Sequence, residues 1–119
     1  MITEFGKYLR KIRIEQGLRL YDMAKSLGRS SAWLSYVETG RKSIPVGFAD
    51  EIADKYNLAE KQREELNKAA AKSAKDFKLN VATDASETRI NAAYALARKF
   101  EDIDDETLGE FLKILNEKT

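Results

Sequence analysis

The hydrophobic pattern of this chain centres on two short apolar runs between residues 18 and 40. In the first run, apolar residues at spacings i, i+3, i+4 and i+7 predict one face of an α-helix; they are Leu20, Met23, Ala24 and Leu27. Gly28 follows where a helix end favours a residue that tolerates positive φ, and Ser30 then supplies an N-cap oxygen for a second helix. The pattern therefore predicts two short helices joined by a tight turn.

The second of these helices has two different faces. Leu34 and Val37 lie on one side, whereas the other side carries mostly small or polar residues, namely Ser31, Ala32, Ser35 and Tyr36. A turn this tight makes the two helices meet at a steep angle, which leaves the polar face on the outside. This arrangement is typical of a helix-turn-helix, whose second helix can enter the major groove of DNA.

Helical periodicity and capping residues predict five more helices. They cover residues 3–16, a segment that begins at Pro45, residues 60–73, and residues about 86–100 and about 105–117. In the helix over residues 86–100 we expect Ile90, Tyr94 and Ala97 to be buried. We also expect Asp84 and Glu87 to form a capping box at its start.

Residues 76–82 (DFKLNVA) change to a two-residue period. Phe77, Leu79 and Val81 alternate with other residues, which predicts a half-buried strand. The chain has no second strand pattern, and a lone strand cannot satisfy its backbone groups internally. We expect this strand to pair with the same strand of a second copy; the alternative is an extended linker packed on the core.

These elements predict an all-α protein in two parts, apart from the one short strand. Residues 1–73 form a five-helix DNA-binding domain, and residues 74–119 form a dimerisation or partner segment that contains the strand and a helical hairpin. A chain of 119 residues has material for one compact domain, or for a small domain with an appendage. The residues that we expect to take part in dimerisation are Phe77, Leu79, Val81, Leu108, Phe111, Leu112 and Leu115.

Charge is distributed unevenly along the chain. Residues 1–45 contain nine Lys/Arg and four Asp/Glu, a net charge of +5, whereas residues 46–119 contain twelve and sixteen, a net charge of −4. A basic front half is the electrostatic footprint of a nucleic-acid-binding protein, and an acidic rear half avoids the phosphates. The charge pattern therefore agrees with double-stranded DNA as the partner.

The composition excludes several kinds of chemistry. The chain contains no Cys and no His, which removes disulfides, thiolate metal sites and the commonest general base. The acidic residues 102–106 lack the glycine and the ligand spacing of a calcium loop, and suit a helix N-terminus instead. We therefore expect no enzymatic activity, no metal and no cofactor. No apolar run approaches the ~20 residues of a membrane span and no signal-peptide h-region appears, so we expect a cytoplasmic protein.

Residues at characteristic intervals extend the pattern beyond the two short helices. They are the Phe-Gly-x-x-Leu-Arg-x-x-Arg opening, Gly17-Leu18, Met23-Ala24, Leu27-Gly28, Ser30, Leu34-Ser35, the Glu38-Thr39-Gly40-Arg41 run and Pro45. Through these features, residues 5–58 resemble the Cro/cI-type helix-turn-helix family, also called the XRE family. The tail, with LARKFEDIDDETLGEFLKIL, is similar to that of small plasmid, phage or mobile-element regulators.

The resemblance implies a Cro/cI-like fold and a set of roles for individual residues. It implies an ion pair between Arg13 and Glu38 that braces the first helix against the third. The family's usual Ser/Thr-Gln pair at the start of the second helix is replaced by Arg19 and Leu20. Since leucine cannot bind a phosphate, we expect Arg19, Tyr21 or Lys25 to make that contact.

The same resemblance places the third helix and the loop after it against DNA. Trp33 has two interpretations, packing at the rim of the domain or contact with a base. Discrimination between bases would rest on Arg29, on Tyr36 and on DNA shape, because serine and alanine give no bidentate base contact. The residues that we expect to contact DNA are Arg19, Tyr21, Lys25, Arg29, Ser31, Ala32, Trp33, Ser35, Tyr36, Thr39, Arg41, Lys42 and Ser43.

Two functions follow from these features. The first is a sequence-specific transcriptional regulator, a repressor of its own operon that reads a palindromic operator as a homodimer. The alternative is an antitoxin or partner-controlled regulator whose C-terminal part binds a toxin or a protease.

Overall fold

The computed structural model describes residues 1–74 and 76–118, and within them it contains seven α-helices. Their bounds are α1 Glu4–Gln16, α2 Leu20–Ser26, α3 Ser31–Glu38, α4 Phe48–Lys55, α5 Glu60–Ser73, α6 Glu87–Lys99 and α7 Asp105–Lys118. A short 3₁₀ turn, Phe100–Asp102, follows α6. The chain divides into two compact units, Met1–Lys78 and Leu79–Thr119, which we call the front unit and the rear unit.

The core of the front unit collects one apolar stripe from each of its five helices. Its largest fully buried side chains are Phe5, Leu9, Met23, Leu34, Val37, Phe48, Ile52 and Leu66. The apolar faces predicted for the two short helices α2 and α3, with Met23 and Leu34 among their residues, are therefore confirmed. Burial of each such side chain stabilises the fold by about 1.5–3 kcal/mol, which is what holds helices this short in place.

Backbone conformation at the helix ends follows the sequence. Gly17 ends α1 with φ 69°, and Asn57, after α4, is the one non-glycine residue with positive φ in the described part of the chain. A side chain pays a steric cost in this region, and Asn tolerates it better than most residues. The left-handed conformation at both positions ends the helix that precedes it.

Helix α4 begins later than predicted, at Phe48 and not at Pro45. Val46 and Gly47 form a turn first, in which the Phe48 amide donates to the Pro45 carbonyl at 3.0 Å and Gly47 has φ 88°. A left-handed residue cannot continue a helix, so the helix begins after it. Pro45 therefore opens the turn and not the helix.

Polar contacts at the surface join α5 to α1 and α4. The guanidinium of Arg63 donates to Asp50 Oδ1 at 3.1 Å and to Asp54 Oδ1 at 2.5 Å, and these hydrogen bonds raise the pKa of Arg63. The Phe5 amide donates to Ser73 Oγ at 3.2 Å. The last helix of the front unit is thus fixed at both ends.

The strand predicted over residues 76–82 is wrong, because the structure has no strand in residues 1–74 or 76–118. Phe77, Leu79 and Val81 lie in an extended segment without ladder hydrogen bonds, and each is exposed. Phe77 lines a small cavity of about 150 Å³ beside the 44–47 turn and the end of α5. The alternative, an extended linker packed on the core, is not supported either, because these three side chains are exposed. An alternating pattern without a partner edge does not make a sheet.

The rear unit consists of α6, the 3₁₀ turn and α7. Its first N-cap is Ser86, whose Oγ accepts from the Arg89 amide at 3.1 Å; the predicted capping box is wrong, because Asp84 lies in the preceding turn. Asp104 caps α7, with Oδ1 accepting from the Thr107 amide at 2.7 Å. This hydrogen bond lowers the pKa of Asp104 below its ordinary value.

Burial in α6 differs from the prediction. Ile90, Tyr94 and Ala97, which were expected to be buried, are exposed, with 69% of the Tyr94 surface accessible. Their spacing does place them on one helical face, but no described residue of the rear unit covers that face. The half-buried residues of α6 are instead Ala93, Ala95 and Leu96, so the predicted apolar stripe lies on the wrong face of the helix.

Candidate nucleic-acid interface

The turn between α2 and α3 sets the direction of α3. Gly28 has φ 69°, and the Arg29 amide donates back to the Ala24 carbonyl at 2.9 Å, which closes the end of α2. Ser30 then begins α3, since its Oγ accepts from the Trp33 amide at 3.1 Å. Both capping residues of the predicted helix-turn-helix are therefore confirmed.

The apolar face of helix α3 packs into the core, and its opposite face is directed outward. Leu34 and Val37 are buried, whereas Ala32 and Tyr36 are exposed. Three further residues of the expected DNA contact set are half-buried beside them, namely Ser31, Ser35 and Thr39. The Thr39 hydroxyl donates to the Ser35 carbonyl at 2.9 Å, so its proton is used within the helix.

The C-terminal end of α3 is fixed to α1 by a dense set of contacts at Glu38. The Arg13 guanidinium donates to both carboxylate oxygens of Glu38, at 2.5 and 3.0 Å, and both side chains are buried. The carbonyl of Glu38 accepts from the amide and the hydroxyl of Thr3, each at 3.0 Å. The implied brace between the first and third helices is therefore confirmed, and Thr3, which the sequence did not single out, is part of it.

Gly6 allows this close approach of α1 to α3. A Cβ placed on Gly6 would collide with the Glu38 carbonyl oxygen. Because that oxygen belongs to the backbone and already accepts two hydrogen bonds, it has no room to move aside. The glycine in the Phe-Gly opening is thus a packing requirement.

Basic and aromatic residues of α2 lie at the surface. The side chain of Arg19, the N-cap residue of α2, is 88% exposed, and the Arg19 amide is held by Asp22 Oδ2 at 2.9 Å. Lys25 lies one turn after Tyr21, with its ammonium 6.0 Å from the tyrosine ring centre. These three expected phosphate contacts are all accessible from solvent.

Arg29 and Trp33 are engaged within the domain. The Arg29 guanidinium donates to the Leu27 carbonyl at 3.0 Å and to Glu51 Oε1 at 3.4 Å, and it lies 4.8 Å from the Trp33 ring centre. Trp33 in turn packs edge-on against Phe48, with ring centres 5.2 Å apart. Of the two interpretations of Trp33, packing at the rim is therefore the one that the structure supports.

The loop of residues 40–43 folds back onto the end of α3; we call it the phosphate loop because the family resemblance implies that it contacts DNA phosphates. The amides of Arg41 and Lys42 both donate to the Tyr36 carbonyl, at 2.8 and 3.1 Å. These two amides are therefore occupied, and the side chains are the free donors of the loop. Arg41 also lies over the Tyr36 ring, 5.8 Å from its centre, so the positions of the two side chains are coupled.

Asp76 adds a carboxylate next to this loop. The alternating pattern of residues 76–82 had placed Asp76 in the predicted strand. It lines a cavity of about 250 Å³ together with Arg41, Lys42 and Ser73. Asp76 and the loop are more than thirty residues apart in the chain, and no local pattern could have indicated that they are neighbours. The carboxylate reduces the positive potential at this edge of the interface.

The described residues contain no group of three or more acidic residues that could hold a metal ion. None of the described helices is long and apolar enough to cross a membrane.

Comparison with known proteins gives one match. A family model described as a helix-turn-helix domain matches residues 4–66, more than half of the chain. No curated protein and no solved structure matches the chain significantly. The matched region contains α1 to α4 and supports a DNA-binding regulator, in agreement with the XRE-type resemblance. The chain belongs to the helix-turn-helix domain family.

Proposed function

We propose that the protein is a sequence-specific transcriptional repressor of its own operon, acting in the cytoplasm. The observation that carries the proposal is the two-sided helix α3, whose inner face is buried and whose outer face carries Ala32 and Tyr36. Helix α3 would enter the major groove with this outer face towards the bases, and the bound protein would exclude RNA polymerase.

Base reading is assigned to the side chains on the outer face of α3. Ser31 can donate or accept a hydrogen bond, Ala32 can contact a thymine methyl group, and Tyr36 offers both a hydroxyl and a ring. None of them gives a bidentate contact. Since Arg29 is already bonded to Leu27 and Glu51, we infer that sequence-dependent DNA shape supplies a large part of the selectivity.

Phosphate binding is assigned to the cations on both sides of α3. Arg19 and Lys25 approach the backbone from α2, and Arg41 and Lys42 approach it from the phosphate loop, joined by the Ser43 hydroxyl. These contacts orient the domain without reading sequence. They also make binding salt-dependent, because each phosphate contact releases condensed counterions.

A dimer is needed for affinity, because one short helix with few discriminating side chains reads too little DNA. Two copies related by a dyad would read major-groove faces about 34 Å apart, on a palindromic operator. We assign the pairing of the copies to the C-terminal part, residues 74–119, where Leu108 and Phe111 contribute apolar surface.

The test is a mobility-shift assay with the DNA upstream of the protein's own gene. We expect a salt-sensitive complex at submicromolar protein and low ionic strength, and competition by unlabelled upstream DNA but not by an unrelated fragment. Equal binding to both fragments would reject sequence-specific regulation and leave only general DNA affinity.

The alternative function, a regulator controlled by a toxin or protease, is favoured by one observation. The rear unit exposes apolar side chains such as Tyr94 and Leu112, which suit a protein partner. Co-expression with the adjacent genes, followed by purification through a tag on this chain alone, separates the two functions. A stoichiometric neighbour gene product in the complex would support the alternative.

A further inference from the structure

The rear unit has two helices but no core. Among the described residues 79–118 none is buried, although α6 and α7 together carry many apolar side chains. The helices have 13 and 14 residues, a length at which an isolated helix is marginal in water. A unit of about 40 residues also buries too little surface to be stable alone. Its stability therefore requires apolar contact from outside the hairpin.

An open groove of about 390 Å³ between α6 and α7 is where that contact is missing. Its apolar lining comes from both helices and includes Ala92, Ala95, Leu96, Leu108, Phe111 and Ile114. Its charged lining consists of Lys99 on the α6 wall and Glu110 on the α7 wall. A small-molecule site would have several convergent polar groups inside the cavity, whereas this groove is suited to helices.

Charge indicates which helices would fit. Helix α6 contains one acidic and three basic residues, a net charge of +2, whereas α7 contains four acidic and two basic residues, a net charge of −2. A second hairpin of the same sequence therefore carries the complementary charges. It fits when α6 of one copy lies over α7 of the other.

We propose that the groove is the docking surface for the rear unit of a second copy, so that two hairpins form a four-helix bundle. The dyad runs parallel to the helices, which places each α6 antiparallel to the partner's α7 and pairs Lys99 of each copy with Glu110 of the other. This arrangement specifies the dimer on which the proposed function relies, and it replaces the strand ribbon expected from the sequence.

Charge reversal tests the pairing in the full-length protein without DNA. Lys99→Glu and Glu110→Lys each place like charges at both symmetric contacts of a homodimer. We expect each variant alone to self-associate about tenfold more weakly in sedimentation equilibrium. In an equimolar mixture both contacts are attractive again, so the heterodimer should recover wild-type affinity. A mixture that associates no better than the separate variants would overturn the proposed pairing.

An apolar variant tests the groove itself against a matched control. Ile114→Asp puts a charge into the groove, whereas Ile90→Asp makes the same change on α6 at an exposed position that does not line it. We expect the first variant to be monomeric and the second to remain dimeric at the same micromolar concentration. Equal behaviour of the two variants would refute the groove as the interface. Circular dichroism checks that both retain helix.

These measurements separate the docking surface from DNA binding. If the charge-reversal mixture fails while the wild-type protein still binds its upstream DNA, the docking geometry is wrong and the proposed function stands. If the bundle forms but no specific DNA complex appears, the docking geometry stands and the proposed function is wrong.

Discussion

Arg13 and Glu38 form a buried, bidentate ion pair that joins the first helix to the end of α3. Arg13 also donates to the sulfur of Met23 in α2, at 3.4 Å, so one guanidinium of α1 contacts both α2 and α3. Removal of one partner leaves the other charge buried without compensation. The orientation of α3 and the stability of the front unit therefore depend on the same contact.

We predict that Arg13→Ala lowers the free energy of unfolding of the front unit by about 3–5 kcal/mol, the usual cost of breaking a buried pair. Urea titration followed by the fluorescence of Trp33, the one tryptophan of the chain, measures this loss. Arg63→Ala is the matched control, because it removes an arginine that bridges two carboxylates at the surface. A loss for Arg13→Ala no larger than that of the control would show that the pair does not stabilise the fold.

Gly6→Ala should destabilise the front unit by about 1–3 kcal/mol, since the added methyl group collides with the Glu38 backbone. Gly109→Ala is the control, because Gly109 is also helical and has no atom within 4 Å of an added Cβ. That change should increase helix content instead, as alanine favours a helix over glycine by about 1 kcal/mol. If Gly6→Ala also stabilised the protein, the close contact between α1 and α3 would be disproved.

Replacement of Arg41 and Lys42 by alanine should weaken binding to every DNA sequence by a similar factor. It should also reduce the slope of log K against log salt by about one unit for each phosphate that the protein no longer binds. Fluorescence anisotropy over a range of salt concentrations measures both effects. Lys72→Ala, in the last turn of α5, is the control and should leave the slope unchanged. An unaltered slope in the double variant would mean that the phosphate loop does not contact DNA.

Tyr36→Ala should change the ranking of operator variants and not only the overall affinity. A side chain that contacts base edges contributes about 1–3 kcal/mol of discrimination at its base pair. Because Arg41 lies over the Tyr36 ring, Tyr36→Phe is the informative companion, since it keeps the ring and removes the hydroxyl. Binding to a library of single-base operator variants measures the change. A uniform loss across the library would assign Tyr36 to positioning instead.

Low pH should destabilise the start of α7, because it protonates the capping residue Asp104. The Thr107 amide, which donates to Asp104, keeps the pKa of that carboxyl below its ordinary value of 3.8. The cap therefore contributes its full stability above the ordinary pKa and loses it as the pH falls through the lower, folded value. Asp104→Asn caps without titrating, so its circular dichroism should change less than that of the wild type between about pH 5 and pH 2. Identical acid curves would exclude Asp104 as the titrating cap.

Local chemistry accounts for the parts of the fold that the sequence predicted well. Helix α5 has the predicted bounds, and Gly28 and Ser30 take the predicted capping roles, because each depends on neighbouring residues only. The resemblance to the XRE family, and not periodicity, suggested the contact between Arg13 and Glu38. Such long-range pairs have no local signature.

The wrong predictions came from local patterns, which do not determine what packs against the segment that carries them. Alternation at Phe77 and Leu79 indicated a strand, but a strand needs a partner edge that the chain does not supply. The stripe at Ile90 and Tyr94 indicated a buried face, yet a helix pattern cannot tell whether another element covers that face. Within the candidate interface, the hydrogen bond between Arg29 and Glu51 could not be predicted either, since the two residues are twenty-two positions apart in the sequence.

The division of α3 into a buried and an exposed face also bears on how such a protein diverges. The side chains that hold the helix, Leu34, Val37 and Glu38, are separate from those that face outward, Ala32 and Tyr36. Surface substitutions usually change the free energy of unfolding by less than about 0.5 kcal/mol. Under the proposed function, a duplicated gene could therefore explore new target sequences at Ala32 and Tyr36 while its product remains folded, and its recognition could evolve faster than its scaffold.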